Sequence, residues 1–346
     1  MKTRQKTTLR VGIVGCGVIA QIMHLPILSR FEDLEIVALC DVNTSKATII
    51  GERYNIDRVY EDIEDMLQHE PLDVVFILTP TSLHLPMSLL ALKHGCHVFI
   101  EKPATRNASE AQTLARQARE ADRVVMVGMQ NRFRSDVDAI KTFLDTQELG
   151  KIFFARAGWL QGESKTEKQP WLLKKNIAGG GVLMDLGIQL IDLVWWMNGR
   201  PQLKAVKANQ FQFNETIEVE DYLSAYLTFE NDLTLFCEFS WDYPIPRDRF
   251  YVDFYGQKGS SWLSPLRVQR FWHGQILNIT PEMRTPPRSI FKKAYEAELQ
   301  HFYQYLKGQV SELRSPIDDA VQVLRITDTI YQSLEQKKEV QVNEQS

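Results

Sequence analysis

The sequence is short of cysteine, of clustered positive charge and of long apolar runs, and each shortage removes a class of protein. Its four cysteines, Cys16, Cys40, Cys96 and Cys237, show neither C-x-x-C pairing nor metal-ligand spacing, which argues against a disulfide scaffold and a metal site. Three of the four fall in or beside expected strands, where a thiol behaves as a small buried hydrophobe, so a reducing cytoplasm is expected. Lys and Arg, 40 against 44 Asp and Glu, are dispersed along the chain, so no basic face for nucleic acid is expected. No run approaches the roughly 18 apolar residues of a membrane span, and no repeat or low-complexity segment is present. The start, with Lys2, Arg4, Lys6 and Arg10, enters a strand without the apolar region of a signal peptide and is expected to be disordered. What remains is a globular protein with small-molecule partners, and 346 residues suggest about two domains.

The first part of the chain alternates strand and helix. Arg10 to Val14 is a short apolar run, followed by the turn Gly15-Cys16-Gly17-Val18-Ile19-Ala20 and a helical stretch to about Leu28. In such a strand, turn and helix, the first Gly allows a tight turn and the second lets backbone approach a pyrophosphate. A small third residue, here Ala20, lets the helix pack on the strand. The next strand, Glu35 to Cys40, ends in Asp41, placed to accept ribose hydroxyls. A carboxylate there favours NAD over NADP, because a 2′-phosphate would meet negative charge. Lys46, one turn into the next helix, could touch a phosphate but is expected rather to be solvated. Further apolar strands at Val74 to Leu78, His97 to Ile100 and Val124 to Val127 imply a parallel sheet covered on both faces, with ligands beyond the carboxyl ends of its strands. Thr79-Pro80 and Glu101-Lys102-Pro103 fall at those ends. His84 reads equally as a ligand contact or a packing residue, and His24 as structural. In the tripeptide, Lys102 is the candidate proton carrier, Glu101 could hold it in place, and Pro103 turns the chain.

After Gln130 the alternation stops. A helix from about Asp136 to Gln147 and a strand from Ile152 to Trp159 lead to a polar loop, Gln161 to Gln169, of a length usually found in functional or mobile loops. The run Gly179 to Trp196 carries Asp185, Gln189 and Asp192 at helical spacings of four and three within apolar surroundings, a polar stripe that suggests a site. Consecutive strands follow, from Leu203 to Phe213, Asp221 to Phe229, Leu233 to Ser240, Phe250 to Tyr255, Gly259 to Leu263 and Val268 to Trp272, as in an antiparallel sheet with one open face. Two helices, Tyr295 to Leu306 and Ile317 to Leu334, close the chain. The fold class expected is α/β: a doubly wound Rossmann domain over residues 1–130, then an α/β domain over 131–346 with a large, mostly antiparallel open sheet. The C-terminal helix is expected to pack back on the first domain.

The GCGVIA turn, Thr79-Pro80 with His84, Glu101-Lys102-Pro103, the GGGVLMDLG run through Asp192 and the tail SPIDDAVQVLRITDTIYQSL together resemble the Gfo/Idh/MocA oxidoreductase family over nearly the whole chain. The resemblance implies NAD as cofactor, with NADP as the alternative, bound by Gly15, Gly17, Val18, Ile19, Ala20 and Asp41. Thr79, Pro80, His84, Glu101, Lys102 and Gln130 would complete the cofactor contacts, with the nicotinamide lying between the domains. It implies that Lys102 exchanges a proton with a substrate hydroxyl or carbonyl while hydride passes to or from the nicotinamide. Asp185 would hold or polarise the substrate, with Gln189 and Trp171 beside it, and the open sheet would form a homodimer or homotetramer.

Two departures qualify this. Gln189 stands where the family commonly has His; an amide orients a hydroxyl but does not titrate. Leu172, after Trp171, stands where Arg is common, with Lys174 and Lys175 nearby. The leading expectation is hydride transfer between NAD(P) and a sugar, polyol or related hydroxylated metabolite. Gln189 keeps open an enzyme that borrows and returns the hydride during elimination, epimerisation or glycoside cleavage. A non-catalytic cofactor sensor is the third reading, against which the presence of Lys102 and Asp185 argues.

Overall fold

The computed structural model describes residues 8–162, 169–283 and 285–342. The charged start with Lys2, Arg4 and Lys6, and residues 163–168 of the polar loop expected from Gln161 to Gln169, lie outside the described residues. The chain forms two compact units: Met1–Thr105, Ser109–Gln130 and Tyr295–Val321 make one, and Arg106–Ala108, Asn131–Ala294 and Gln322–Ser346 the other.

In the first unit, β1 (Leu9–Val14), β2 (Leu34–Cys40), β3 (Arg58–Tyr60), β4 (Val74–Ile77), β5 (His97–Ile100) and β6 (Val125–Val127) form a parallel sheet in the order β3-β2-β1-β4-β5-β6. Every residue of β4 and the last four of β1 are buried, as continuous apolar strands covered on both faces require. The connections carry α1 (Leu25–Leu28), α2 (Thr44–Tyr54), α3 (Ile63–His69), α4 (His84–Lys93) and α5 (Ala108–Glu120). In α5 the buried residues are Ala108, Ala111, Leu114, Ala115 and Ala118, the three-and-four spacing of a helix with one face on a sheet. The helical stretch starts at Val18 and runs through a π-turn over Ala20–His24 into α1.

The second unit contains α6 (Ser135–Asp145), β7 (Ile152–Leu160), α7 (Lys175–Ala178), α8 (Ile188–Met197), β8 (Leu203–Phe211), β9 (Tyr222–Phe229), β10 (Thr234–Ser240), β11 (Arg249–Gly256), β12 (Gly259–Leu263), β13 (Leu266–Trp272) and β14 (Gln275–Asn278). After α9 (Pro287–Leu306) and α10 (Ile317–Gln336), the short β15 (Val340–Gln341) completes a sheet ordered β14-β13-β12-β11-β7-β10-β9-β8-β15. Its described pairs are antiparallel except β7 with β10. A parallel neighbour needs a long crossover, which the chain through α8, β8 and β9 supplies. One face of the sheet, with Ala155, Ala157, Leu235, Cys237 and Phe239, is buried. Beneath it α8 is buried along its whole length. The stretch Lys175–Met197 is long and apolar enough to cross a membrane, contrary to the expectation that no such run exists, but 83% of its most apolar window is buried inside the protein. The opposite sheet face carries Phe236, Tyr226, Arg156, Tyr251 and Tyr255, with Tyr226 49% exposed.

Among the element bounds that differ from the sequence reading, two have a local cause. The strand expected to reach Phe213 ends at Phe211, because the Phe213 and Asn214 N–H groups donate to the Asp221 carboxylate (2.8 and 2.7 Å) and turn away from the ladder. Helix α9 starts at Pro287 rather than Tyr295, since Pro at the first helical position loses no hydrogen bond there. From Tyr295 onward α9 lies in the first unit, where Phe302 meets Phe76 and Phe99 at 6.1 and 5.7 Å.

Candidate active site

In the first unit, β1 ends where strand order reverses, between β1 and β4, the place at which open parallel sheets bind ligands. The chain turns there at Gly15, whose φ of +92° suits glycine and whose N–H donates to Cys40 O at 2.8 Å. A side chain on Gly15 would meet the Leu78 backbone at 2.8 Å, whereas one on Gly17 would meet nothing within 4 Å. Gly17 therefore faces open space, the cradle a pyrophosphate fills, with Val18 63% exposed beside it and Ala20 fully buried against the core. The residues present fit a dinucleotide. The Cys16 thiol is pushed up to about 12 by burial and by the neighbouring Asp41, leaving it inert at neutral pH.

Asp41 closes the far side of this turn. Its Oδ2 accepts the Cys16 N–H at 2.7 Å and its Oδ1 the Asn43 N–H at 2.9 Å. Lys46 is partly exposed, and its Nζ also lies 2.9 Å from Asp41 Oδ2, a partner not expected from the sequence. Burial raises the Asp41 carboxyl, but the hydrogen bonds from Lys46, Asn43 and Cys16 outweigh it and hold the group below the usual carboxylate range.

The loops after β4 and β5 are tied together by His84. Its Nδ1 is 2.9 Å from Pro103 O and its Nε2 2.8 Å from Thr79 O, and the ring is buried. Both ring nitrogens are thus engaged within the chain, so His84 serves the Thr79-Pro80 and Lys102-Pro103 loops as a brace and offers no ring nitrogen to a ligand. Glu101 is also buried: Oε1 lies 2.8 Å from His24 Nε2, and Oε2 accepts the Lys102 N–H at 3.1 Å. Burial pushes its carboxyl up, yet the His24 hydrogen bond and the nearby charges of His24 and Lys102 hold it below the usual range. Lys102 itself is half-buried at the carboxyl end of the sheet, and Gln130 is buried at the end of the unit.

In the second unit, Asp185 and Gln189 lie one turn apart on the helix that runs from a π-turn (Leu183–Gly187) into α8. Trp241 Nε1 donates to Asp185 Oδ2 at 3.0 Å, and Gln189 Nε2 donates to Asp185 O at 2.9 Å. Asn131 Nδ2 approaches Gln189 Oε1 at 3.4 Å. Asp192 does not belong to this polar stripe as expected: it is buried against the fully buried Arg132, whose Nε and Nη2 reach its two oxygens at 2.8 and 2.5 Å. The polar stripe is thus a pair, Asp185 and Gln189, above a structural ion pair. Trp171 is half-buried in a 3-10 turn with Leu172. Lys175 lines a polar cavity of about 420 Å³ with Arg106, Asn176, Asp328, Tyr331 and Glu335.

The glycine run before this helix answers to close packing. A side chain on Gly181 would fall 2.0 Å from Glu220 O, and the Glu220 carboxylate accepts the Gly181 and Leu183 N–H groups (3.1 Å each) and the Tyr331 hydroxyl (2.9 Å). Burial raises the Glu220 carboxyl above its ordinary value. Sequence reading missed Arg132, Glu220, Trp241 and the pairing of Lys46 with Asp41, because each acts through a partner distant in the chain or a turn away. The one available signal was a cation within the first turn of α2, a position the helix dipole disfavours.

Two family profiles match the chain: an oxidoreductase family with an NAD-binding Rossmann fold over residues 9–129, and the Gfo/Idh/MocA C-terminal domain over residues 137–261. The chain belongs to the Gfo/Idh/MocA oxidoreductase family. It is an NAD(P)-dependent oxidoreductase. Among similar proteins, the D-glucoside 3-dehydrogenase of Escherichia coli (strain K12) is 30% identical over 288 residues, covering 78% of this chain and 81% of that protein. The NADP(+) scyllo-inositol 2-dehydrogenase IolW of Bacillus subtilis (strain 168) is 28% identical over 230 residues, 66% of this chain and 62% of that protein. A levoglucosan dehydrogenase solved with NADH and L-sorbose superimposes with a TM-score of 0.87 over 97% of this chain and 99% of that one, at 21% identity, a likeness of fold. The Gfo/Idh/MocA assignment agrees with the six-stranded parallel sheet and the nine-stranded, mostly antiparallel sheet.

Proposed function

We propose that this Gfo/Idh/MocA protein oxidises a hydroxyl of a sugar, polyol or related metabolite, or reduces the matching carbonyl, with Lys102 as proton carrier. The observation that carries the reading is the seating of Lys102: the buried Glu101 carboxylate grips its backbone N–H at the carboxyl end of β5, while the loop is braced by His84. A lysine whose main chain is fixed in this way delivers its ammonium or amine to a repeatable position, which proton transfer demands. When bound, NAD supplies the hydride acceptor, and NADH the donor. Lys102 takes the hydroxyl proton in the oxidative direction and returns it in the other. Asp185, oriented by Trp241, and the Gln189 amide take the role of binding substrate hydroxyls, as the family resemblance implies. The relatives named for glucoside and inositol dehydrogenation support a carbohydrate or polyol, and Trp171 offers an apolar ring face for a sugar.

The same reading places the protein in a reducing cytoplasm, where its four free, buried cysteines remain thiols. The open sheet face, with the exposed rings of Phe211 and Tyr226, supports self-association as a homodimer or homotetramer. Gln189 supports one alternative, in which the hydride is returned to the same substrate and no net NADH accumulates.

Following absorbance at 340 nm with NAD and NADP over a panel of sugars and polyols tests the proposal. The Lys102→Ala protein should lose roughly a hundredfold to ten-thousandfold in kcat while still binding NADH. Full activity in that variant would remove Lys102 from the mechanism. Turnover without NADH accumulation would favour the hydride-returning alternative.

A further inference from the structure

We propose that Lys46 sets the cofactor selectivity of this enzyme: by pairing with Asp41 it offsets the charge that would reject a 2′-phosphate, so that NADP is accepted as well as NAD. The inference rests on the Gly15–Ala20 turn and Asp41 as the dinucleotide site.

An aspartate at the end of the second strand discriminates by two means, accepting hydrogen bonds from the ribose hydroxyls and repelling a phosphate. Both are weakened here. An ionised carboxylate offers about four lone-pair positions, and Asp41 already receives the Cys16 N–H, the Asn43 N–H and the Lys46 ammonium. A ribose diol that engages both oxygens must displace the lysine. The repulsion is reduced as well, since a cation 2.9 Å from Asp41 Oδ2 leaves little net charge on the pair.

Lys46 can also exchange partners. Its side chain is 37% exposed while that of Asp41 is 9% exposed, so the ammonium lies on the solvent side of the carboxylate. If it turns to a 2′-phosphate, Asp41 keeps its two backbone N–H donors and is not left as an unpartnered buried charge. The intervening residues, Val42, Asn43, Thr44 and Ser45, carry no charge and are all exposed, so nothing else in that segment repels the phosphate. The position of the lysine has no helical rationale. It falls in the first turn of α2, capped by Asn43, where a cation opposes the helix dipole; its stabilising partner is Asp41.

Titrating NADH and NADPH by nicotinamide fluorescence into the wild type, Lys46→Ala and Lys46→Arg proteins reads the inference without any substrate. In the wild type the two Kd values should agree within about tenfold, and Lys46→Ala should raise the NADPH-to-NADH Kd ratio at least about tenfold further. Lys46→Arg, which keeps the charge, should hold the wild-type ratio. An unchanged ratio in Lys46→Ala, or a wild type that rejects NADPH by more than about a thousandfold, overturns the role of Lys46 and leaves the NAD site standing. A wild type that binds neither nucleotide overturns the dinucleotide site itself, and this inference with it.

Discussion

His24 Nε2 stands 2.8 Å from Glu101 Oε1 inside the first unit, joining the helix after the glycine turn to the strand end that carries Lys102. The rings of Phe76, Phe99 and Tyr295 surround the imidazole at 5.9, 5.5 and 6.0 Å, an aromatic shell around the pair. One carboxylate thus connects the helix after the glycine turn to the Lys102 loop.

Replacing His24 by Leu should therefore leave a buried carboxylate short of a hydrogen bond and cost about 1–3 kcal/mol, read as a lower urea midpoint at constant slope. Glu101→Gln tests the charge separately. Because the folded protein holds the Glu101 carboxyl below its ordinary value, its contribution is present above the unfolded pKa of about 4.3 and is lost as pH falls through the lower, folded value. The wild type should lose stability in acid below that point more steeply than Glu101→Gln, measured by thermal unfolding at a series of pH values. Parallel acid limbs would show that Glu101 does not titrate differently in the two states.

Gly17 and Gly181 should respond oppositely to alanine. A methyl on Gly17 meets nothing in the protein, so Gly17→Ala should melt within about 1 kcal/mol of the wild type yet bind NADH at least about tenfold more weakly because the cradle is filled. A methyl on Gly181 collides with a carbonyl oxygen at 2.0 Å, and Gly181→Ala should be destabilised by about 1–3 kcal/mol or more. Circular dichroism melts alongside NADH titration separate the two.

Trp241→Phe removes the indole donor to Asp185 while keeping most of a fully buried ring. Asp185 then loses its orientation, and kcat/KM on the best substrate should fall roughly tenfold, equivalent to about 1–1.5 kcal/mol for one hydrogen bond. NADH affinity should be preserved. A fall in NADH affinity equal to the fall in kcat/KM would mean that Trp241 acts through the fold instead.

The parts of this protein legible in the sequence are those encoded locally. Continuous apolar strands ending in Gly15, Asp41, Thr79 and Glu101 announce a parallel sheet, and the four-and-three spacing of Asp185, Gln189 and Asp192 announces a helix. Partnership is what spacing does not contain. Asp192 shares the periodicity of Asp185, yet it is neutralised by Arg132, 60 positions away. Trp241, 56 positions beyond Asp185, carries no sequence signal tying it to that carboxylate, yet its indole donates to it. The pairing of Lys46 with Asp41 was likewise invisible, since the sequence marks Asp41 as a ribose acceptor and carries nothing that ties the lysine five positions on to it.

The two-residue strand β15 has a practical bearing on handling this enzyme. It pairs Val340 with Val206 and Gln341 with Ala205 along the outer side of β8, and Val342 N–H adds a bond to Lys204 O at 2.8 Å. This short tail occupies hydrogen-bonding groups that an exposed edge would present to other molecules. Trimming the chain after Gln336, a natural choice for crystallisation, would bare that edge and trade solubility for sticking, whereas a purification tag added beyond Val342 leaves the guard in place.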